Sequence, residues 1–122
     1  MARVLIIDDS PTDMQALYGM LKKCGHECTF AANGVKGIAS ARETQPDVIL
    51  MDVVMPELNG YQATRLLTQD KDTAHIPVIM ISSKTQETDR VWGLRQGARA
   101  YVCKPASEEE LARIIAELTP AT

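Results

Sequence analysis

Two apolar patterns alternate along this chain, and their alternation predicts its elements. Val4–Ile7 is a short unbroken apolar run closed by Asp8 and Asp9, which predicts a buried strand. Ser10 and Pro11 follow, a good N-cap and a residue suited to the first helical position. Met14, Leu17, Tyr18 and Leu21 then recur at i, i+3, i+4 and i+7, one apolar face of a helix that Gly25 stops. Glu27–Ala32 predicts a weaker strand ending at Asn33-Gly34. Gly34–Glu43 predicts a helix carrying Val35, Ile38, Ala39 and Arg42 along it, and Val48–Met51 a third strand. Gly60–Thr68 opens another helix, with Tyr61, Leu66 and Leu67 as candidate core residues. Pro77 precedes a fourth strand, Val78–Ser82, and a helix over Gln86–Gln96 stops at Gly97. Ala100–Cys103 is the fifth strand. Ser107 and Glu110 then form the signature of a capping box, and Leu111, Ile114, Ile115 and Leu118 continue it as a helical face.

Five strands therefore alternate with five helices. The first, third and fourth strands are apolar throughout, as parallel strands covered on both faces are. The class is α/β with a doubly wound parallel sheet. Ligands of such sheets bind outside the carboxyl ends of the strands.

Composition narrows the function. With 122 residues, 45 % of them hydrophobic, the chain is expected to form one folded domain without staples. Its formal charge is −3 and no basic stripe interrupts it, so direct nucleic-acid binding is not expected. Neither the start nor any later run has the length of a signal peptide or membrane span, so no membrane insertion is expected. The chain is expected to end at Thr122, just after its last helix, with no output domain attached. Cys24, Cys28 and Cys103 match neither a disulfide framework nor a zinc pattern, and read as free thiols of a cytoplasmic protein.

The strand ends carry the chemistry. The run "VILMDVVMPELNG" ends its strand on Asp52, a costly residue beside so apolar a segment. Asp8 and Asp9 end the first strand, Ser82 the fourth, and Lys104 follows the fifth. Three close carboxylates raise one another's pKa unless a cation joins them. Oxygen donors without His or Cys favour a hard ion, most simply Mg²⁺. Lys104 adds a fixed positive charge, and a site of this kind is suited to phosphoryl oxygens, with a carboxylate as nucleophile. His26 and His75 lie away from the strand ends and carry no assigned chemistry.

In "IIDDS", "ILMDVVMPELNG", "VIMISSK" and "AYVCKPAS" the chain resembles the receiver domain of two-component response regulators, over roughly Arg3 to Leu118. Within that family it is most similar to stand-alone receivers of chemotaxis-like systems, of the type that serves type IV pilus twitching motility. The resemblance implies a flavodoxin-like receiver fold with strand order 2-1-3-4-5. It implies Asp52 as phosphoacceptor and a metal site of Asp8, Asp9, Asp52 and the Val54 carbonyl, holding Mg²⁺. It implies Ser82 as a switch hydroxyl, Lys104 as the phosphoryl-pairing lysine, Pro105 often following a cis bond, and Tyr101 as the aromatic switch. The implied partners are a chemotaxis-kinase-like sensor histidine kinase and an unidentified output protein.

Some positions depart from the family's commonest pattern. Ser82 replaces the more usual Thr, and Ala100 stands where many relatives carry Asp or Glu. Val54 and Lys84, at positions that influence dephosphorylation in the family, offer neither carboxylate nor amide, so the resemblance implies an acyl phosphate that is not especially short-lived. A haloacid-dehalogenase-type phosphatase would need a second Asp where Val54 stands. A nucleotide-binding fold would need a glycine-rich phosphate loop that this sequence lacks.

Overall fold

The computed structural model describes residues 1–119; the expected end of the chain at Thr122 lies outside the described residues. Ten elements alternate: β1 (Arg3–Ile7), α1 (Pro11–Lys23), β2 (Glu27–Ala31), α2 (Gly34–Thr44), β3 (Val48–Asp52), α3 (Gly60–Gln69), β4 (Val78–Ser82), α4 (Glu87–Arg95), β5 (Ala100–Cys103) and α5 (Glu108–Leu118). All strand pairings are parallel, in the order β2-β1-β3-β4-β5. The sheet is thus the doubly wound one that the sequence predicts, in the implied order.

Strand alternation divides the core into two layers, since successive side chains point to opposite faces. Val4, Ile6, Leu50, Ile79 and Ile81 pack on one face with Leu17 and Leu21 of α1 and with Leu111 and Ile115 of α5. Leu5, Ile7, Ile49, Met51 and Val78 pack on the other with Ile38 and Ala41 of α2 and with Ala63 and Leu67 of α3. Each of these Val, Leu, Ile and Met side chains, withdrawn from water, contributes about 1.5–3 kcal/mol. Val53, Met80 and Ala98 form a smaller group with Tyr61 and Tyr101.

Most helix ends follow their sequence signals. Ser10 accepts from the Asp13 N–H, Asn33 from Lys36 and Ser107 from Glu110. Asn59 and Gln62 form a reciprocal capping box at α3. In α1, Leu17 and Leu21 are buried, Met14 is partly buried against the core, and Tyr18 sits edge-on to Phe30 of the border strand β2.

The face of α2 differs from the expectation. Val35 is 62 % exposed, Ala39 and Arg42 are also exposed, and the buried set is Gly34, Gly37, Ile38 and Ala41. A Cβ on Gly37 would lie 2.4 Å from Ile7 Cδ1, so the helix is turned to place its smallest residues against β1. A face built of glycine and alanine is invisible to hydrophobic periodicity. In α3, Leu67 is buried as expected and Tyr61 is half-buried, but Leu66 is exposed.

Candidate functional site

Strand register assembles the site. Ile7 of β1 lies beside Met51 of β3, so Asp8 and Asp52 come next on neighbouring strands. Asp52 in turn lies beside Ile81, and Ser82 beside Cys103, which brings Lys104 to the same rim. The chain reverses its winding direction between β1 and β3, where a doubly wound sheet opens its crevice.

Asp8, Asp9 and Asp52 each place a carboxylate oxygen within 4.8 Å of the others. Asp8 and Asp52 are buried, and Asp9 is exposed. The Asp8 carboxylate is held by the Ser10 N–H at 2.8 Å. Lys104 Nζ donates to Asp8 at 3.2 Å, Asp52 at 3.1 Å and Asp13 at 2.7 Å. One ammonium therefore bridges three carboxylates, using all three of its protons.

This crowding moves the charges of the site. Burial pushes the Asp52 carboxyl up, and the negative charges of Asp8 and Asp9 push the same way; Lys104 opposes them, and the result is a pKa of about 6. Burial disfavours the Lys104 ammonium, but the hydrogen bond to Asp13 and the charges of Asp52 and Asp8 outweigh it, so its pKa is raised. Asp52 thus carries an excess of unneutralised negative field, which a second cation would relieve. The donor set fits such an ion. It consists of carboxylate oxygens from two adjacent strand ends, one exposed toward solvent, the chemistry that suits a hard divalent cation with retained waters.

Asp13 is the member of this site that sequence reasoning missed. Its place in the first turn of α1 accounts for it as an acid at a positive helix end. Only the packing of α5 and of the loop after β5 against α1 shows that it reaches Lys104.

The remaining predicted residues surround this cluster. Ser82 is fully buried, and its Oγ accepts from the Lys84 N–H at 3.0 Å. The Tyr101 hydroxyl donates to the Lys84 carbonyl at 2.8 Å, so Ser82 and Tyr101 hold the same residue of the β4–α4 loop. The Lys104–Pro105 bond is cis. Val54 is exposed in the β3–α3 loop, two residues beyond Asp52. In that loop Leu58 N–H bonds the Pro56 carbonyl at 2.8 Å around Glu57, whose φ of 67° is left-handed and costs strain. Gly60 closes the loop under Asp52: its N–H bonds the Val53 carbonyl, and a Cβ there would lie 2.2 Å from the Asp52 carbonyl oxygen. His26 accepts from the Ala2 N–H through Nδ1, far from the cluster in sequence and role.

The family described as response regulator receiver domain matches residues 4–116. The chain belongs to that family. This receiver is 59 % identical over 115 residues to Protein PilH of Pseudomonas aeruginosa, covering 94 % of this chain and 95 % of PilH. Among solved structures, chemotaxis protein CheY4 of Vibrio cholerae matches it with a TM-score of 0.88 at 29 % identity, over 97 % of this chain and 98 % of that one. The receiver domain of a Pseudomonas aeruginosa sensor histidine kinase, solved with a magnesium ion in its active-site cleft, matches with a TM-score of 0.88 at 31 % identity, over 96 % of each chain. Among the described residues no helix is long and apolar enough to cross a membrane.

Proposed function

We propose that this receiver accepts a phosphoryl group on Asp52 from the phosphohistidine of a chemotaxis-kinase-like sensor histidine kinase. The observation that carries this reading is the buried Asp52 carboxylate, 3.1 Å from Lys104 Nζ and clustered with Asp8 and Asp9 at one rim of the sheet. Asp8, Asp9 and Asp52, with the Val54 carbonyl, are the residues that would hold Mg²⁺. When bound, Mg²⁺ supplies neutralisation of the phosphoryl oxygens and lowers the charge barrier to their approach.

An Asp52 oxygen attacks phosphorus in line with the leaving imidazole. The P–O bond forms as the P–N bond breaks, and the imidazole nitrogen keeps the electron pair. Lys104 exchanges a carboxylate partner for a phosphoryl oxygen, against the restraint of its hydrogen bond to Asp13. The Ser82 hydroxyl then leaves the Lys84 N–H for the acyl phosphate, moving the β4–α4 loop. Tyr101, bonded to the same loop, responds, and the surface of α4, β5 and α5 changes as a population shift between two states. The receiver assists its own phosphorylation and dephosphorylation without turning over a separate substrate.

We read it as a receiver of the stand-alone kind, because its likeness to PilH runs nearly the full length of both chains. Its output is contact with another protein or competition for phosphoryl groups as a sink, in a chemotaxis-like system of the type IV pilus twitching kind. The unpaired cysteines suit the reducing cytoplasm. The test is incubation with acetyl phosphate, with and without Mg²⁺, read by intact mass on wild type and Asp52→Asn. One added phosphoryl group that needs Mg²⁺ and is lost in the variant is the expected result. No gain under any condition overturns the proposal in favour of a phosphate-independent interaction module.

A further inference from the structure

A second feature lies away from the carboxylate cluster, between α3 and α4. Arg65, Thr68 and Gln69 of α3 and Trp92 and Arg95 of α4 line a solvent-open groove of about 420 Å³, together with Gln96 and Gly97. Its floor is tied together. Thr68 Oγ1 donates to the Gln96 carbonyl at 2.9 Å, and Gly97, with φ at 111°, leaves room for Thr68 where a Cβ would lie 2.5 Å from its methyl group.

The rim is unusual in two respects. Trp92 is the sole tryptophan and is 49 % exposed. Arg42, Arg90 and Arg113 each pair with a carboxylate; Arg65 and Arg95, like Arg3 and Arg99, have no ion-pair partner among the described residues, but only Arg65 and Arg95 line this groove together. Among the described residues no carboxylate lines the groove. In a chain of net charge −3 this is a local concentration of uncompensated positive charge around an aromatic face. Trp and Arg are also the residues that most often dominate protein–protein binding energy.

We propose that the α3–α4 groove binds an acidic segment of a partner protein, seating an apolar side chain on Trp92 between carboxylates that pair with Arg65 and Arg95. The charge selects an anionic occupant. A small metabolite is poorly served, because fixed convergent polar groups are what hold one, and the Thr68 hydroxyl and Gln96 carbonyl are already bonded to each other. A segment instead spreads its contacts over two exposed guanidinium groups and one large ring. The site is independent of Asp52, so its failure leaves the phosphoryl-transfer reading untouched.

The test selects displayed random peptides on the full-length protein, with an Arg65→Glu/Arg95→Glu double variant as counter-selection. Recovered peptides are then synthesised and titrated against the intrinsic Trp92 emission. The expected peptides are rich in Asp and Glu around an aromatic or aliphatic residue, shift Trp92 emission saturably and weaken with salt. Their affinity is expected to fall by about tenfold or more in the double variant. Recovery of no acidic peptide, unchanged Trp92 emission, or equal binding to the variant overturns the proposal. So does sedimentation showing that the groove instead joins two copies of this chain. Because both arginines are at the surface the variant should fold; if its circular dichroism is altered, Arg65→Gln and Arg95→Gln serve as the comparison, judged by the same fall in affinity.

Discussion

Replacing Asp52 by Asn should stabilise this protein at neutral pH in the absence of divalent metal. Moving a carboxyl pKa from the usual 3.8 to about 6 corresponds, at about 1.4 kcal/mol per tenfold, to about 3 kcal/mol of destabilisation once the group is ionised. The folded-state carboxyl holds its proton more tightly than the unfolded one. Its contribution to stability is therefore fully present below 3.8 and is lost as pH rises through about 6. Asparagine has no such slope. The variant also gives up the Asp52–Lys104 hydrogen bond, although Lys104 keeps Asp8 and Asp13. The net gain expected at pH 7.5 is thus about 1–3 kcal/mol. Urea unfolding followed by circular dichroism, in EDTA at pH 4, 5, 6 and 7.5, measures it. The difference between the two proteins should shrink steadily toward pH 4. Magnesium should narrow it at pH 7.5 by stabilising the wild type selectively. A variant less stable than wild type at pH 7.5, or a difference that does not change with pH, would refute the claim that Asp52 is held as an electrostatically unfavourable group.

Other substitutions probe the supports of the site. Gly60→Ala should cost about 3 kcal/mol or more in a denaturant titration, because its Cβ meets backbone beneath Asp52 rather than a movable side chain. Thr64→Val should raise stability by about 1 kcal/mol, since the Thr64 hydroxyl is buried with no partner among the described residues. Asp13→Asn, by releasing Lys104 from its shortest hydrogen bond, should speed phosphoryl uptake from acetyl phosphate severalfold, measured by the time course of intact mass; an unchanged rate would mean that Asp13 does not restrain the lysine. In wild type the acyl phosphate should persist rather than decay rapidly, because exposed Val54 and Lys84 offer neither carboxylate nor amide to position a hydrolytic water; the loss of added mass after donor removal tests this.

Much was legible in the sequence by itself. Apolar runs that end abruptly on Asp8, Asp52 and Ser82 determine both the strands and the residues carried to their ends, because a strand buried on both faces must be apolar until it leaves the sheet. The helix caps at Ser10 and Ser107 were equally local, since a cap satisfies its own first turn. What depends on packing was not. The face of α2 follows from the closeness of Gly37 to Ile7, a matter of steric fit rather than of hydrophobic contrast. Whether Trp92 was core or surface could not be read from a helix as weakly patterned as α4, and the fold leaves it at the groove rim. Asp13 looks in sequence like any acid in a first helical turn, and only the winding that brings the loop after β5 against α1 makes it the nearest partner of Lys104. The kinds of groups at the site were written in short segments of sequence. Their mutual distances, and so the field that Asp52 feels, arise from residues up to 96 positions apart and could be decided only by the tertiary structure.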